Sequence, residues 1–399
     1  MIRVLFTQTQ MKQYRLPFFT KLHATLLQDG IEVKVAYSDP AGVDKLKQDN
    51  VELPPEIGIK VPSYCILGGR LFYQALLRHA LVADLVIAEQ AIKNIHSYFL
   101  ILSRMRGRGR LAFWGLGKNN DPGHSRLSEK LRPCIARRAD WWFTYTKGTA
   151  DWLAANGVAR DKITVMQNST DTRGFAAKIA AIPEEQVNQA RKQLGIAPGS
   201  RVGIYCGILV PDKAIALLLE AARLVRERVP NFHLLVLGGG SESARVQQAA
   251  LEAPWIHCLG PKFGEDKALF FKMSDCFLLP GRVGLAILDS FAAGLPLFTT
   301  KISFHGPEVE YLEEGVNGRM TENDVEAYAE SVTEVISNPE ILENLKAGAR
   351  KSAEYYSIEA MVERFRLGIL RCLRVTGLVA GAINGAPAFP GDERGSSIK

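Results

Sequence analysis

At 399 residues, with 47% apolar residues and a formal net charge of +7, the chain is long enough to build two domain cores. No apolar run reaches membrane-spanning length, the nearest (375–383) being short and broken by glycine, and MIRVLFTQTQ lacks the apolar centre of a secretory leader, so a cytoplasmic location is expected. Cys65, Cys134, Cys206, Cys258, Cys276 and Cys372 stand without C-x-x-C pairs or His/Cys ligand spacing, which argues against zinc and disulfides and for small buried residues in a reducing compartment.

Short apolar strands at 2–6 and 31–36 flank an amphipathic helix around 18–27, and further strands are expected at 85–88, 111–114, 142–145 and 163–166. This strand–helix alternation predicts a parallel sheet with helices on its faces, an α/β Rossmann-like unit. After a helix-prone stretch at 181–194 and the turn Ala197-Pro198-Gly199, the pattern repeats with strands at 201–205, 233–237, 256–258, 276–279 and 296–299. The boundary falls near 170–174, giving an N-terminal domain over 1–170 and a C-terminal domain over 171–355. A last helix within 356–375 carries Ile358, Met361, Val362, Phe365 and Ile369 at helical spacing, so it must pack against something. The tail 385–399, rich in Gly, Pro and Ser, reads as disordered.

The positive charge is uneven. Arg104, Arg106, Arg108, Arg110, Lys118, Arg126, Lys130, Arg132, Arg137 and Arg138 crowd the first half, against Asp121, Glu129 and Asp140. An anionic membrane surface, an acidic acceptor and a merely solvated basic face all fit this pattern. Nucleic acid does not, because no reader motif or aromatic stacking pattern accompanies the charge.

The segment 277–296, FLLPGRVGLAILDSFAAGLP, carries the chemistry. A buried strand ends at Pro280-Gly281 and an apolar helix follows, so the turn lies beyond the carboxyl end of the strand, where open α/β sheets bind ligands. Gly281 and Gly284 let the backbone approach a ligand, and the unpaired N–H groups there suit diphosphate. Asp289 sits one turn into the helix, between Leu288 and Phe291-Ala292-Ala293, where a lone carboxylate needs a partner such as ribose hydroxyls; an exposed helix position is the other reading. A second signal lies at 205–213, YCGILVPDK. Gly207 ends a strand at the same sheet edge, and Pro211-Asp212 delivers Lys213, a point charge for phosphate, to the next helix. A third glycine turn, Gly238-Gly239-Gly240, follows the strand at 233–237, and together the three outline a nucleotide site.

From residue 2 to about 373 the chain resembles family 4 retaining glycosyltransferases of the GT-B type, in a subgroup with a Pro-Gly-x-Val-Gly-Leu donor turn. The resemblance rests on Tyr14-Arg15-Leu16-Pro17-Phe18-Phe19, Asn168-Ser169-Thr170-Asp171, the block from Gly207 to Lys213, the PGRVGLAILD block, His305-Gly306-Pro307-Glu308-Val309-Glu310-Tyr311-Leu312 and Asn317-Gly318. It implies two Rossmann-like domains facing across a cleft, the first binding an acceptor, the second a nucleotide sugar, with the final helix crossing back to the first. It also implies that Lys213 contacts the donor diphosphate, that Asp289 contacts the ribose, and that Val283, Gly284 and Leu285 offer backbone N–H groups. The chain departs from the family pattern at four places: Gly281 stands where the first glutamate of an E-x7-E pattern is usual, the shorter Asp289 where its second is, Ile208 where an arginine is, and Leu116 where a histidine is. Arg282 is the candidate to replace the missing arginine, and Lys118 or His124 the candidate to act near the reacting sugar.

The activity implied is transfer with retention to a saccharide or lipid-linked acceptor at the inner face of the membrane, in assembly of a cell-surface polysaccharide. Positioning and charge stabilisation would do most of the catalysis, with no metal or cofactor beyond the co-substrate. A non-catalytic sugar-nucleotide-binding partner of an active transferase is the alternative that Leu116 and Ile208 suggest. A sugar-nucleotide epimerase of the same fold would need acid/base residues that the sequence does not supply.

Overall fold

The computed structural model describes residues 1–40, 49–68, 71–107, 109–117 and 132–375. Lys118, His124 and the tail 385–399 fall outside these residues, as do Arg108, Arg126 and Lys130 of the basic cluster.

The first sheet is built from β1 (Ile2–Gln10), β2 (Ile31–Ser38), β3 (Gly58–Lys60), β6 (Leu85–Glu89), β7 (Arg110–Gly115), β8 (Trp141–Thr144) and β9 (Ile163–Val165). Its seven strands are parallel in the order β3-β2-β1-β6-β7-β8-β9. A separate antiparallel hairpin pairs β4 (Ser63–Ile66) with β5 (Leu71–Gln74). The second sheet holds β10 (Arg201–Cys206), β11 (Phe232–Leu237), β12 (Ile256–Gly260), β13 (Cys276–Leu278), β14 (Leu297–Thr300) and β15 (Gly318–Thr321), parallel in the order β12-β11-β10-β13-β14-β15.

The strands expected from sequence are present within a residue or two at their ends, except that β1 runs four residues further, to Gln10. β3, the β4–β5 hairpin and β15 were not expected, because three or four residues carry too little periodicity to be read. The stretch at 181–194 is the end of one helix, Thr172–Ala181, and the whole of another, Glu184–Gln193; Pro183, which lacks an N–H, stands as the N-cap of the second. The cysteines do not all behave as buried apolar residues: Cys276 and Cys372 are buried, but Cys65 and Cys134 are exposed. Among the described residues no helix is long and apolar enough to cross a membrane.

Each sheet has its own core, because a sheet buried on both faces needs apolar side chains on both. One continuous cluster fills the second half, while two clusters lie on opposite faces of the first sheet. The last helix, Ile358–Val375, belongs to the first half: Ile358, Met361, Val362, Phe365 and Ile369 are all buried in its core. Phe365 stacks on Phe143 at 4.6 Å between ring centroids and meets Trp114, Phe18 and Phe6 at 5.1, 5.1 and 5.8 Å. A Cβ on Gly368 would stand 2.6 Å from the Phe143 ring and from Thr164 Oγ1, so the helix lies almost in contact with the sheet. On its outer side Arg366 binds both Asp29 carboxylate oxygens, at 2.6 and 2.8 Å.

The joint between the halves is polar. Asn168 donates to the buried Glu308 carboxylate at 2.7 Å, and the Tyr311 hydroxyl donates to the Asn168 carbonyl at 3.0 Å. Glu310 accepts from the Thr146 hydroxyl and the Gly148 N–H, both at 2.9 Å, and the Ser169 hydroxyl donates to the Tyr356 carbonyl.

The edge pair β11–β12 holds one pH-sensitive element. His233 Nδ1 lies 3.1 Å from His257 Nε2, and two such nitrogens cannot both carry protons and keep that contact. Burial first, then His257, Arg226 and Arg191, pull His233 down to about 4; burial also lowers His257, His96 and His305. Unfolded histidines titrate near 6.5, so the unfolded chain binds more protons across this window. Stability should be complete above about pH 6.5 and decline as pH falls towards 4. Thermal midpoints measured across that range should drop by several degrees, with a shallower drop in His233→Gln.

Candidate functional site

The site gathers at the carboxyl ends of β10 and β13, neighbours in the second sheet. The chain leaves β10 at Cys206, passes Gly207 and Ile208, and makes a single 3-10 turn, Pro211–Lys213, before the helix Ile215–Arg228. It leaves β13 through Pro280 and Gly281 and enters the short helix Ala286–Ala292. The two turns press together. A Cβ on Gly281 would sit 2.3 Å from the Lys213 carbonyl carbon and 2.4 Å from the Asp212 oxygen, and the Arg282 N–H donates to that same oxygen at 2.7 Å. Glycine at 281 is therefore demanded by chain-on-chain contact, whereas the sequence reading assigned it to ligand approach. Gly281→Ala should force the turns apart, lowering the thermal midpoint by several degrees and donor affinity at least roughly tenfold, as a titration of nucleotide against both proteins would register. Gly284 differs, with nothing within 4 Å of a Cβ built on it, so its open side faces free space.

This packing brings two cations side by side. Lys213 Nζ donates to the Arg282 carbonyl at 2.5 Å, and Arg282 Nη1 lies 4.0 Å from Asp212. Burial, then the Arg282 charge, pulls the Lys213 ammonium down to about 8; Asp212 opposes the shift only in part. A half-buried ammonium beside a like charge costs free energy that a bound anion would relieve. Ile208, at the expected arginine position, is 55% exposed at the same edge and offers no charge.

The expected row of backbone donors is incomplete. Val283 N–H is taken by His305 Nδ1 at 3.0 Å, and the other ring nitrogen of His305 donates to the Thr300 carbonyl at 2.8 Å. The assignment of Val283 as a donor to the ligand is thereby corrected: its N–H holds the turn closed. Gly284 and Leu285 N–H groups have no acceptor among the described residues and remain available. Gly207 donates its N–H to the Leu237 carbonyl, so that N–H serves the turn.

Asp289 is not the lone carboxylate expected. Lys267, on the helix Gly264–Lys272, donates to Asp289 Oδ2 at 2.7 Å. The ammonium also lies over the Phe175 ring at 4.7 Å and the Phe271 ring at 5.5 Å. Burial acts most strongly, to lower Lys267, but the Asp289 charge and hydrogen bond together with Cys206 outweigh it and hold the ammonium above its ordinary range. Asp289 Oδ1 has no hydrogen bond among the described residues, so one oxygen stays open to a hydroxyl.

Across the cleft, the first half contributes residues that sequence reasoning did not single out for the site. Arg15 is 5% exposed, with its guanidinium 4.5 Å above the Trp114 ring and 5.0 Å from the Tyr14 ring. Burial acts to lower it, yet Tyr14, Tyr145 and Glu89 hold it above its usual range. Arg15 and Arg282 both act on Glu308, whose carboxyl is raised by burial and drawn back by Asn168 and these cations. Glu308 thus feels a cation from each half. Leu116, just past β7, is half-buried.

Residues 186–352 match the family described as glycosyl transferases group 1. That stretch contains Lys213, Lys267, Arg282, Asp289, His305 and Glu308. Over the whole chain, the structure is similar to Anabaena HepE solved in complex with UDP, with a TM-score of 0.68 at 16% identity, covering 93% of this chain and all of that one. A glycosyltransferase from Rickettsia africae gives the same TM-score at 15% identity over 94% of this chain and 98% of its own. The fold is GT-B. In sequence, the D-inositol 3-phosphate glycosyltransferase of Rhodococcus opacus is 28% identical over 197 residues, 45% of this chain and 43% of that protein. The lipopolysaccharide 1,2-N-acetylglucosaminetransferase of Salmonella typhimurium is 29% identical over 142 residues, 32% and 36% of the two chains. The chain thus spans less than half the length of these curated relatives.

Proposed function

We propose that this protein is a retaining glycosyltransferase that takes a sugar from a nucleotide-sugar donor and passes it to a saccharide or lipid-linked acceptor in cell-surface polysaccharide assembly. The observation that carries the donor half of this reading is the pairing of Lys213 and Arg282 beside the open amides of Gly284 and Leu285. Two cations and two N–H groups converge where a diphosphate would neutralise them. Arg282 takes the place of the charge missing at Ile208. Asp289 Oδ1, beside the Lys267 pair, suits a ribose hydroxyl.

The similarity to HepE, which was solved with UDP, supports a nucleotide donor. The Salmonella relative, named as a lipopolysaccharide transferase, supports a saccharide acceptor. In the proposed reaction the acceptor hydroxyl attacks from the face that the diphosphate leaves, with the leaving charge held by Lys213 and Arg282. The residues expected to act near the sugar, Lys118 and His124, belong to this proposal, as does independence from metal.

A thermal-shift and hydrolysis screen with UDP-, GDP- and dTDP-sugars tests the reading. Stabilisation by one nucleotide sugar together with slow hydrolysis supports it, since a ligand that binds the folded state raises its stability by mass action. Binding without turnover, with lipid-linked acceptors present, would favour the non-catalytic partner suggested by the uncharged Ile208. No binding would remove the donor site.

A further inference from the structure

We propose that the β4–β5 hairpin and the outer face of the helix Ile95–Met105 form a docking surface for an anionic lipid bilayer. Along that helix Tyr98, Phe99, Leu102 and Met105 recur at spacings of three and four residues, the pattern that normally faces a core. Here they face water: Phe99 is 46% exposed and Met105 56%. The hairpin continues the apolar surface. Tyr64 stacks on Tyr73 at 6.3 Å, and Tyr73 meets Phe99 edge-on at 6.4 Å. On the other side of the helix a groove is lined by Leu81, Leu100 and Arg104, and Leu81 and the neighbouring Val82 are exposed. The ring contacts join the exposed helix face to the hairpin, and exposed apolar surface continued across two elements marks an interaction site.

The hairpin tip points the same way independently. Leu67 is 69% exposed and has φ of +52°, the left-handed region where glycine or asparagine is favoured and a branched side chain is strained. A large apolar side chain held in water on a strained backbone gains nothing from the fold itself.

Charge selects the occupant. From residue 71 to 110 there are six basic residues and two acidic ones. Both acids are engaged: Asp84 accepts the Arg3 N–H, and Glu89 accepts the Thr9 hydroxyl and N–H. Asp140 is likewise clamped by Arg104, at 2.6 and 2.7 Å. Arg78, Arg106, Arg137 and Arg138 are exposed around the rim, and Arg138 Nη1 reaches Met105 Sδ at 3.6 Å, setting a cation against the apolar stripe. Apolar side chains ringed by arginines match the acyl boundary and phosphate layer of an anionic leaflet. The hairpin is tied to the cleft by the Phe72–Asn94 bridge, Asn94 lying just beyond the carboxyl end of β6, so docking here would bring the cleft close to the lipid surface.

The test is co-sedimentation of the full chain with vesicles of phosphatidylcholine alone or mixed with phosphatidylglycerol. The mixed vesicles should bind the protein at least roughly tenfold more tightly, and Arg106→Gln or Arg138→Gln should each weaken binding about fivefold. Leu102→Glu should abolish it. Leu67→Gly keeps the reading falsifiable, because it relieves the strained tip and so should leave the thermal midpoint unchanged or higher while binding falls. Equal binding to both vesicle types, or full binding by Leu67→Gly and Leu102→Glu, would overturn the proposal. So would a dimer, seen by light scattering, that Leu102→Glu dissociates, since a second copy would then be the occupant. Donor binding in the nucleotide-sugar screen is read separately, so failure here leaves the proposed reaction standing.

Discussion

Lys213→Ala should reduce turnover of the donor by roughly 10²–10³-fold, the scale seen when one preorganised stabilising group is removed. The lysine is half-buried beside Arg282 and held to the Arg282 carbonyl, so its ammonium is already placed where the diphosphate charge would develop. The substitution also removes a charge that burial disfavours, so the thermal midpoint of the ligand-free protein should hold or rise. That split separates a role in the reaction from a role in folding. With the ammonium near 8, donor affinity of the native protein should fall as pH rises from 7 to 9, because the deprotonated amine carries no charge for phosphate. Lys213→Ala should lose this limb of the profile, which a titration of nucleotide at several pH values would read directly. A native profile flat across that range would break the link between the two.

Phe365→Ala should destabilise the first half by about 3–5 kcal/mol, the usual range for a buried phenylalanine. The ring contacts Phe143, Trp114, Phe18 and Phe6 at once, and no neighbour can collapse into the space without breaking another pair. The second core lacks this residue, so denaturant unfolding should separate into two transitions, with only the less stable one moved. A single transition shifted as a whole would mean that the polar joint couples the halves more tightly than their separate cores suggest.

The sequence announced what is local. Strand ends, the turns at 207–213 and 280–285, and the apolar stripe of the last helix follow from spacing and from Gly and Pro, and they appear in the structure where expected. Long-range pairings were not legible. Lys267 lies 22 residues before Asp289, on a helix whose charged residues read as surface, and only the approach of two helices makes them a pair. Arg15 stood inside a motif, but its place above Trp114 depends on a strand a hundred residues away. His305 removed Val283 from the set of free amides because the loop beyond β14 returns beneath the turn. The hairpin was missed because its strands are only four residues long, and its exposed apolar residues, Tyr64 and Ile66, alternate with no core face that would set a readable period.

The placement of Phe365 also bears on synthesis. The first half holds most of its residues by Met166, yet the helix that completes its core arrives roughly two hundred residues later. At translation rates of about 5–20 residues per second, that interval is roughly 10–40 s. Throughout it the aromatic groove formed by Phe6, Phe18, Trp114 and Phe143 would lie uncovered on the ribosome while the second half emerges. The nascent chain is therefore a natural client for a chaperone that shields aromatic surface until its own last helix arrives.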